Sequence, residues 1–135
     1  MSENADSPIA KVSKNVRRSC CPVSCALDLF GDKWTLLVIR DLMLGRSRFK
    51  EFQASPEGIP TNILSERLER LLRNGIADQV PATDGAKRKA YRLTPKGEAL
   101  RPILGALRDW GLQWEANTEV RLSPQPASHS LQTGL

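Results

Sequence analysis

Three kinds of chemistry are open to this chain of 135 residues, and each belongs to a local cluster of side chains. The first is hydrogen bonding to base edges. On a helix, Thr61, Asn62, Ser65 and Glu66 share one side and Arg67 lies on its flank. An asparagine amide matches the edge of adenine, a carboxylate accepts from cytosine, and a guanidinium reaches guanine or a phosphate. The second is neutralisation of a polyanion, available to Lys87, Arg88 and Lys89 in one run and to Arg48 and Lys50 earlier. The third is thiol chemistry. Cys20, Cys21 and Cys25 fall within six residues, with Cys21 directly before a helix-opening proline. A helix N-terminus and neighbouring cations favour a thiolate there.

Other chemistries lack their residues. The single histidine, His129, lies near the end of the chain, and there is no phosphate-binding G-x-x-x-x-G-K-[ST] loop or nucleophile elbow. No general base or paired carboxylates stand in a recognisable frame, so no enzymatic activity is expected. The three cysteines have no companions at ligand spacing, so no metal and no cofactor are expected. They are odd in number and clustered, unlike a secreted disulfide framework. The net charge of +5 is compatible with a nucleic-acid partner. No apolar run approaches the roughly 20 residues that span a bilayer, and residues 1–10 lack a signal-type apolar stretch. A cytoplasmic protein with no membrane partner is expected.

These clusters need elements to hold them. Residues 1–18 read as a flexible arm and 119–135, rich in Pro and Ser, as a disordered tail, leaving 19–118 as the domain. Pro22 opens a first helix carrying Val23, Ala26, Leu27 and Phe30, and Gly31 stops it. Asp32 caps a second, Lys33 to Leu44, apolar nearly all round and therefore central. Ser47 caps a short third, Arg48 to about Ala54, with Phe49 and Phe52 inward. After a loop over 55–60, Thr61 caps a fourth, Asn62 to about Asn74, ended by Gly75. Its apolar stripe is Ile63, Leu64, Leu68, Leu71 and Leu72, which leaves the base-reading candidates outward. Ile76 to Pro81 and Arg88 to Leu93 read as strands around an Asp84-Gly85 turn. Thr94-Pro95 opens a long last helix that Pro102 should kink.

The fold class is therefore mainly α with a small β-hairpin (α+β): a winged helix-turn-helix domain with added terminal dimerisation helices. A helix reading the major groove and a basic hairpin beside it form one DNA-binding surface. Leu104, Leu107, Trp110 and Trp114 continue the last helix's apolar stripe further than so small a domain needs. They are the expected interface of a homodimer, with packing on the chain's own core as the competing reading near Trp114. A symmetric pair would bind a palindromic operator. A winged-helix module that binds protein without reading DNA is the alternative function.

Specific motifs carry a resemblance. Cys21-Pro22-Val23 with Leu27-Asp28, Gly31-Asp32-Lys33-Trp34-Thr35-Leu36-Leu37 and Arg48-Phe49-Lys50-Glu51-Phe52 occur in that order. Gly58-Ile59-Pro60-Thr61-Asn62-Ile63-Leu64-Ser65-Glu66-Arg67-Leu68 and Tyr91-Arg92-Leu93-Thr94-Pro95-Lys96-Gly97 follow, then Pro102 and Trp110-Gly111. The chain resembles the HxlR family of bacterial winged-helix regulators over about residues 20–115. The resemblance implies a homodimer binding operator DNA, usually as a repressor. It also implies a sensing role for Cys21 toward an oxidant or a small-molecule effector, against the plainer reading of a capping or buried cysteine.

Overall fold

The computed structural model describes residues 17–81 and 89–120. The chain forms α1 (Pro22–Phe30), α2 (Thr35–Met43), α3 (Phe49–Gln53), α4 (Thr61–Arg73), β1 (Ala77–Pro81), β2 (Lys89–Leu93), α5 (Pro95–Glu98) and α6 (Arg101–Trp114). None of these helices is long and apolar enough to cross a membrane. The winged helix-turn-helix architecture is thus present: helices, an antiparallel hairpin, then helices again.

Each start has a local cause. Pro22 occupies the first turn of α1, where its missing N–H is not needed. Asp32 caps α2 by accepting the backbone N–H groups of Trp34 at 3.0 Å and Thr35 at 3.1 Å. Ser47 does not cap α3. The Glu51 carboxylate reaches back instead and accepts from the N–H groups of Ser47 (2.7 Å) and Arg48 (2.9 Å). Thr61 is likewise not a cap. Pro60 holds the cap position with an extended backbone, and Thr61 is the first residue of α4. Gly75 follows α4 with φ +71°, a conformation that a Cβ would strain.

The hairpin pairs Ala77 with Leu93 through Pro81 with Lys89. Its second strand is tied to the helical layer, because the Tyr91 N–H donates to the Ser47 carbonyl at 2.9 Å. The Tyr91 and Phe52 rings also meet edge-on with centroids 6.1 Å apart.

The expected single last helix is two helices. The Thr94 side chain caps α5 by accepting from the Gly97 N–H at 3.2 Å. The chain then turns at Ala99–Leu100, and Pro102 sits in the first turn of α6, where it breaks no hydrogen bond. So the proline starts a helix and does not kink one. Gly97 is buried against Ile76, the residue before β1: a Cβ there would stand 2.3 Å from the Ile76 carbonyl oxygen.

The core gathers Val38, Ile39, Leu42, Met43 and Leu44 of the α2 region, Phe52 of α3 and Leu64, Leu68 and Leu71 of α4, closed by Ile76, Ala77 and Leu104. Leu104 therefore belongs to the chain's own core. Leu107, Trp110 and Trp114 on α6 and Val23 and Leu27 on α1 stay exposed.

Candidate nucleic-acid interface

α4 buries Leu64, Leu68 and Leu71 and turns Thr61, Asn62 and Ser65 to solvent. Thr61 accepts a hydrogen bond from the Gln53 amide at 3.1 Å, which joins α3 to the first turn of α4. Lys50 is exposed and lies three residues before Gln53, on the same face of α3. The short helix and the start of α4 thus present one polar surface. Arg48, at the cap position of α3, is half-buried. Lys89 opens β2 and is exposed; Lys87 and Arg88 lie outside the described residues.

Glu66 and Arg67 are arranged otherwise than the sequence pattern suggests. The Arg67 side chain, 16% exposed, donates through Nε to Asp32 Oδ2 at 2.9 Å and through Nη1 to Glu66. It is turned back toward the α1–α2 junction and does not reach outward from the flank of α4. The cause is the half-buried Asp32 carboxylate, which needs a cation close by. Burial alone would raise the Asp32 pKa. Hydrogen bonds from Thr35, Arg67 and the Trp34 backbone, with the Arg67 charge, outweigh it and hold the group well below the usual carboxylate range. Arg70 completes the cluster, lying 3.6 Å from Asp32 and 3.6 Å from Glu66 and donating to the Leu29 carbonyl at 3.3 Å.

A second polar cluster fixes the turn before α4. Asp41 is buried and accepts from the Ser55 hydroxyl and from Arg40 Nε and Nη2. Arg40 also makes two hydrogen bonds to Glu57, at 2.8 and 2.9 Å. The hydrogen bond to Glu57 is the main cause that raises the Arg40 pKa, and the same bond lowers that of Glu57. Neither Asp41 nor Ser55 stood out in the sequence. The available signal was an Arg-Asp pair inside an apolar helix, which demands buried partners.

The three thiols are free. Cys21 is exposed at the N-cap of α1, and its backbone N–H donates to Ser19 Oγ at 3.1 Å. The Cys25 thiol points to the Ser19 carbonyl at 3.5 Å. The nearby cation Arg18 is paired with Asp28 at 2.6 Å. Among the described residues no group of three His, Cys, Asp or Glu side chains is placed to hold a metal ion.

The model of the HxlR-like helix-turn-helix family matches residues 29–119. YvaP of Bacillus subtilis, an uncharacterized HTH-type transcriptional regulator, is 33% identical over 100 residues, which cover 74% of this chain and 93% of that protein. The chain spans 56% of the length of mycobacterial HTH-type regulators that it matches at 40% identity. Among solved structures, that of PA1607, a transcription-factor candidate, superposes with a TM-score of 0.70 at 41% identity, covering 82% of this chain and 79% of the other. The regulator YodB of B. subtilis superposes in its reduced form with a TM-score of 0.59 at 33% identity, covering 75% of this chain and all of YodB. Its quinone-bound form gives 0.58 at 34% identity over 70% of this chain.

Proposed function

Since the chain belongs to the HxlR-like helix-turn-helix family, whose matched members here are transcriptional regulators, we propose that it binds operator DNA as a homodimeric repressor. One observation carries this reading. The first turns of α4 expose Thr61, Asn62 and Ser65 on the side away from the buried Leu64, Leu68 and Leu71. A helix backed in this way can enter the major groove with its N-terminal residues on the base edges. Asn62 pairs with adenine, and Thr61 and Ser65 adjust to the neighbouring bases, while Glu66 is engaged by Arg67 and Arg70. Arg48, Lys50, Lys87, Arg88 and Lys89 hold the phosphates and set affinity without sequence choice.

The homodimer is proposed from the apolar surface left uncovered. Leu107 is 51% exposed, Trp110 59% and Trp114 63% along one helix, with Val23 at 66% on α1. The three α6 residues, spaced i, i+3 and i+7, share one helix face, and an exposed apolar face of this kind marks an association site. A two-fold pair places two α4 helices against two half-sites, so the operator is palindromic. Leu104, buried in the core, supports α6 from within and contributes little to the pair.

Regulation through Cys21 is part of the same reading. The thiol is exposed at the N-terminus of a helix that also exposes the apolar Val23 and Leu27. The relative YodB has a quinone-bound structure, which supports a quinone as the effector to test. Modification at Cys21 would alter the packing of α1 and so the spacing of the two reading helices.

The test selects bound duplexes from genomic DNA with the wild-type protein, with Asn62→Ala, and with wild type treated with a quinone. We expect a palindromic motif for wild type, a relaxed base at a fixed position for Asn62→Ala, and weakened binding on quinone addition that Cys21→Ser prevents. Absence of any enriched motif would point to a protein-binding module and refute the DNA reading. Equal quinone responses in wild type and Cys21→Ser would remove the thiol from it.

A further inference from the structure

We infer that Asp32 is a positioning residue for DNA recognition, fixing the rotational setting of α4 through Arg67 and Arg70. The inference rests on α4 being the helix that reads DNA. It assigns Arg67 a task other than base contact.

The geometry is that of one carboxylate serving three helices. Asp32 lies in the short link between the end of α1 and the start of α2. Its Oδ2 accepts from the N–H groups of Trp34 and Thr35, which begin α2, and from Arg67 Nε at 2.9 Å, which belongs to α4. Its Oδ1 accepts from the Thr35 hydroxyl at 2.5 Å and stands 3.6 Å from Arg70. Arg70 in turn donates to the Leu29 carbonyl in the last turn of α1, at 3.3 Å. Arg67 and Arg70 are three residues apart and share a face of α4.

Such a clamp supplies what the leucine stripe does not. Burial of Leu64, Leu68 and Leu71 holds α4 on the core, but apolar burial is non-directional and tolerates a small rotation about the helix axis. Side-chain tips lie roughly 5–6 Å from that axis, so a turn of about 20° moves them by about 2 Å. Base-edge hydrogen bonds hold only within about 0.5 Å of their preferred length. The directional, charge-assisted hydrogen bond from Arg67 to Asp32, with the Arg70 ion pair and its hydrogen bond to Leu29 beside it, removes that freedom. Asp32 is held well below the ordinary carboxylate range, so the clamp stays charged wherever DNA binding is measured.

The decisive variant is Asp32→Asn. Asparagine is as good an N-cap as aspartate, so α2 keeps its start while the charge facing Arg67 is lost. Binding is measured to two duplexes: the palindrome enriched by the wild-type protein, and a scrambled duplex of the same composition. We expect Asp32→Asn to lose about tenfold or more on the palindrome and less than about twofold on the scrambled duplex, so that discrimination falls. Arg67→Gln should do the same, and the double variant should be no worse than either single one. Arg67→Lys should recover part of the discrimination.

If Arg67→Gln relaxes only one base position while Asp32→Asn leaves discrimination intact, Arg67 reads DNA and the inference is wrong. Equal losses on both duplexes would also overturn it, because they signal general loss of structure or charge. Should Asp32→Asn fail to fold, Arg67→Gln and Arg67→Lys carry the comparison alone. Asn62→Ala separates the two levels. If it abolishes the palindrome preference and Asp32→Asn does not, only the clamp fails. If wild type shows no preference, the reading of α4 fails and takes the clamp with it.

Discussion

Replacing Trp110 by alanine tests the proposed pairing face most sharply. A tryptophan side chain buries about 150–250 Å² when wholly covered. Trp110 is 59% exposed in the single chain, so roughly 90–150 Å² remains for a partner to cover. At about 25 cal/mol per Å² that is roughly 2–4 kcal/mol per side chain. Two-fold pairing removes the contact twice, so covering only half the area in the pair still gives about 2–4 kcal/mol per dimer. At about 1.4 kcal/mol per decade, the dimer dissociation constant should rise by roughly 30- to 1000-fold. Sedimentation velocity across a concentration series reads this directly. The folded signal of each chain should be retained, because Trp110 lies outside the core. An unchanged dissociation constant, or a wild-type protein that stays monomeric at concentrations where it binds DNA, would refute the reasoning.

Two further outcomes follow from charge. Asp32, Glu51 and Glu57 are all held below their ordinary pKa. Burial opposes the shift at Asp32 and Glu51, where hydrogen bonds override it, and the Arg40 hydrogen bond causes it at Glu57. The unfolded chain then binds more protons in acid, so stability is fully present above about pH 5 and declines as pH falls through the folded values. Urea unfolding from pH 7 to pH 3 should show this, with a shallower decline for Glu57→Gln; stability that increased on acidification would contradict it. Separately, Lys50→Ala should weaken binding to all duplexes alike and reduce the salt slope by about one unit, measured by titration at several salt concentrations. A loss confined to one sequence would move Lys50 from the phosphates to the bases.

The order of elements was legible because its signals are local. Proline at a helix start, glycine at a helix end and leucines at helical spacing need no tertiary knowledge. α4 was legible for the same reason, and Asn62 and Ser65 face outward as the leucine stripe requires. What was hidden depends on partners far along the chain. Thr61 and Ser47 look like caps, but the Thr61 hydroxyl accepts from Gln53, and Glu51 serves the N–H groups before α3. Arg67 looks like a flank residue reaching for DNA, and only the position of Asp32, 35 residues earlier, turns it inward. Leu104 follows the stripe of α6 yet is taken by the core, since a periodic pattern cannot tell which neighbour covers it. Pro102 is ambiguous in the same way: a proline within an apolar pattern marks either a bend or a fresh start, and the turn at Ala99–Leu100 decides for the start.

The close approach at Gly97 restricts how related proteins can diverge. Any larger residue there meets a backbone oxygen that has nowhere to move, since the Ile76 carbonyl also accepts from the Thr94 N–H at 3.0 Å. The foot of α5 is in effect welded to the hairpin. Beyond the turn at Ala99–Leu100, Leu104 anchors α6 in the core, while Leu107, Trp110 and Trp114 further along stay on the surface. Lineages that must fit binding sites with differently spaced halves are therefore expected to vary along that exposed half of α6 and to leave the weld untouched.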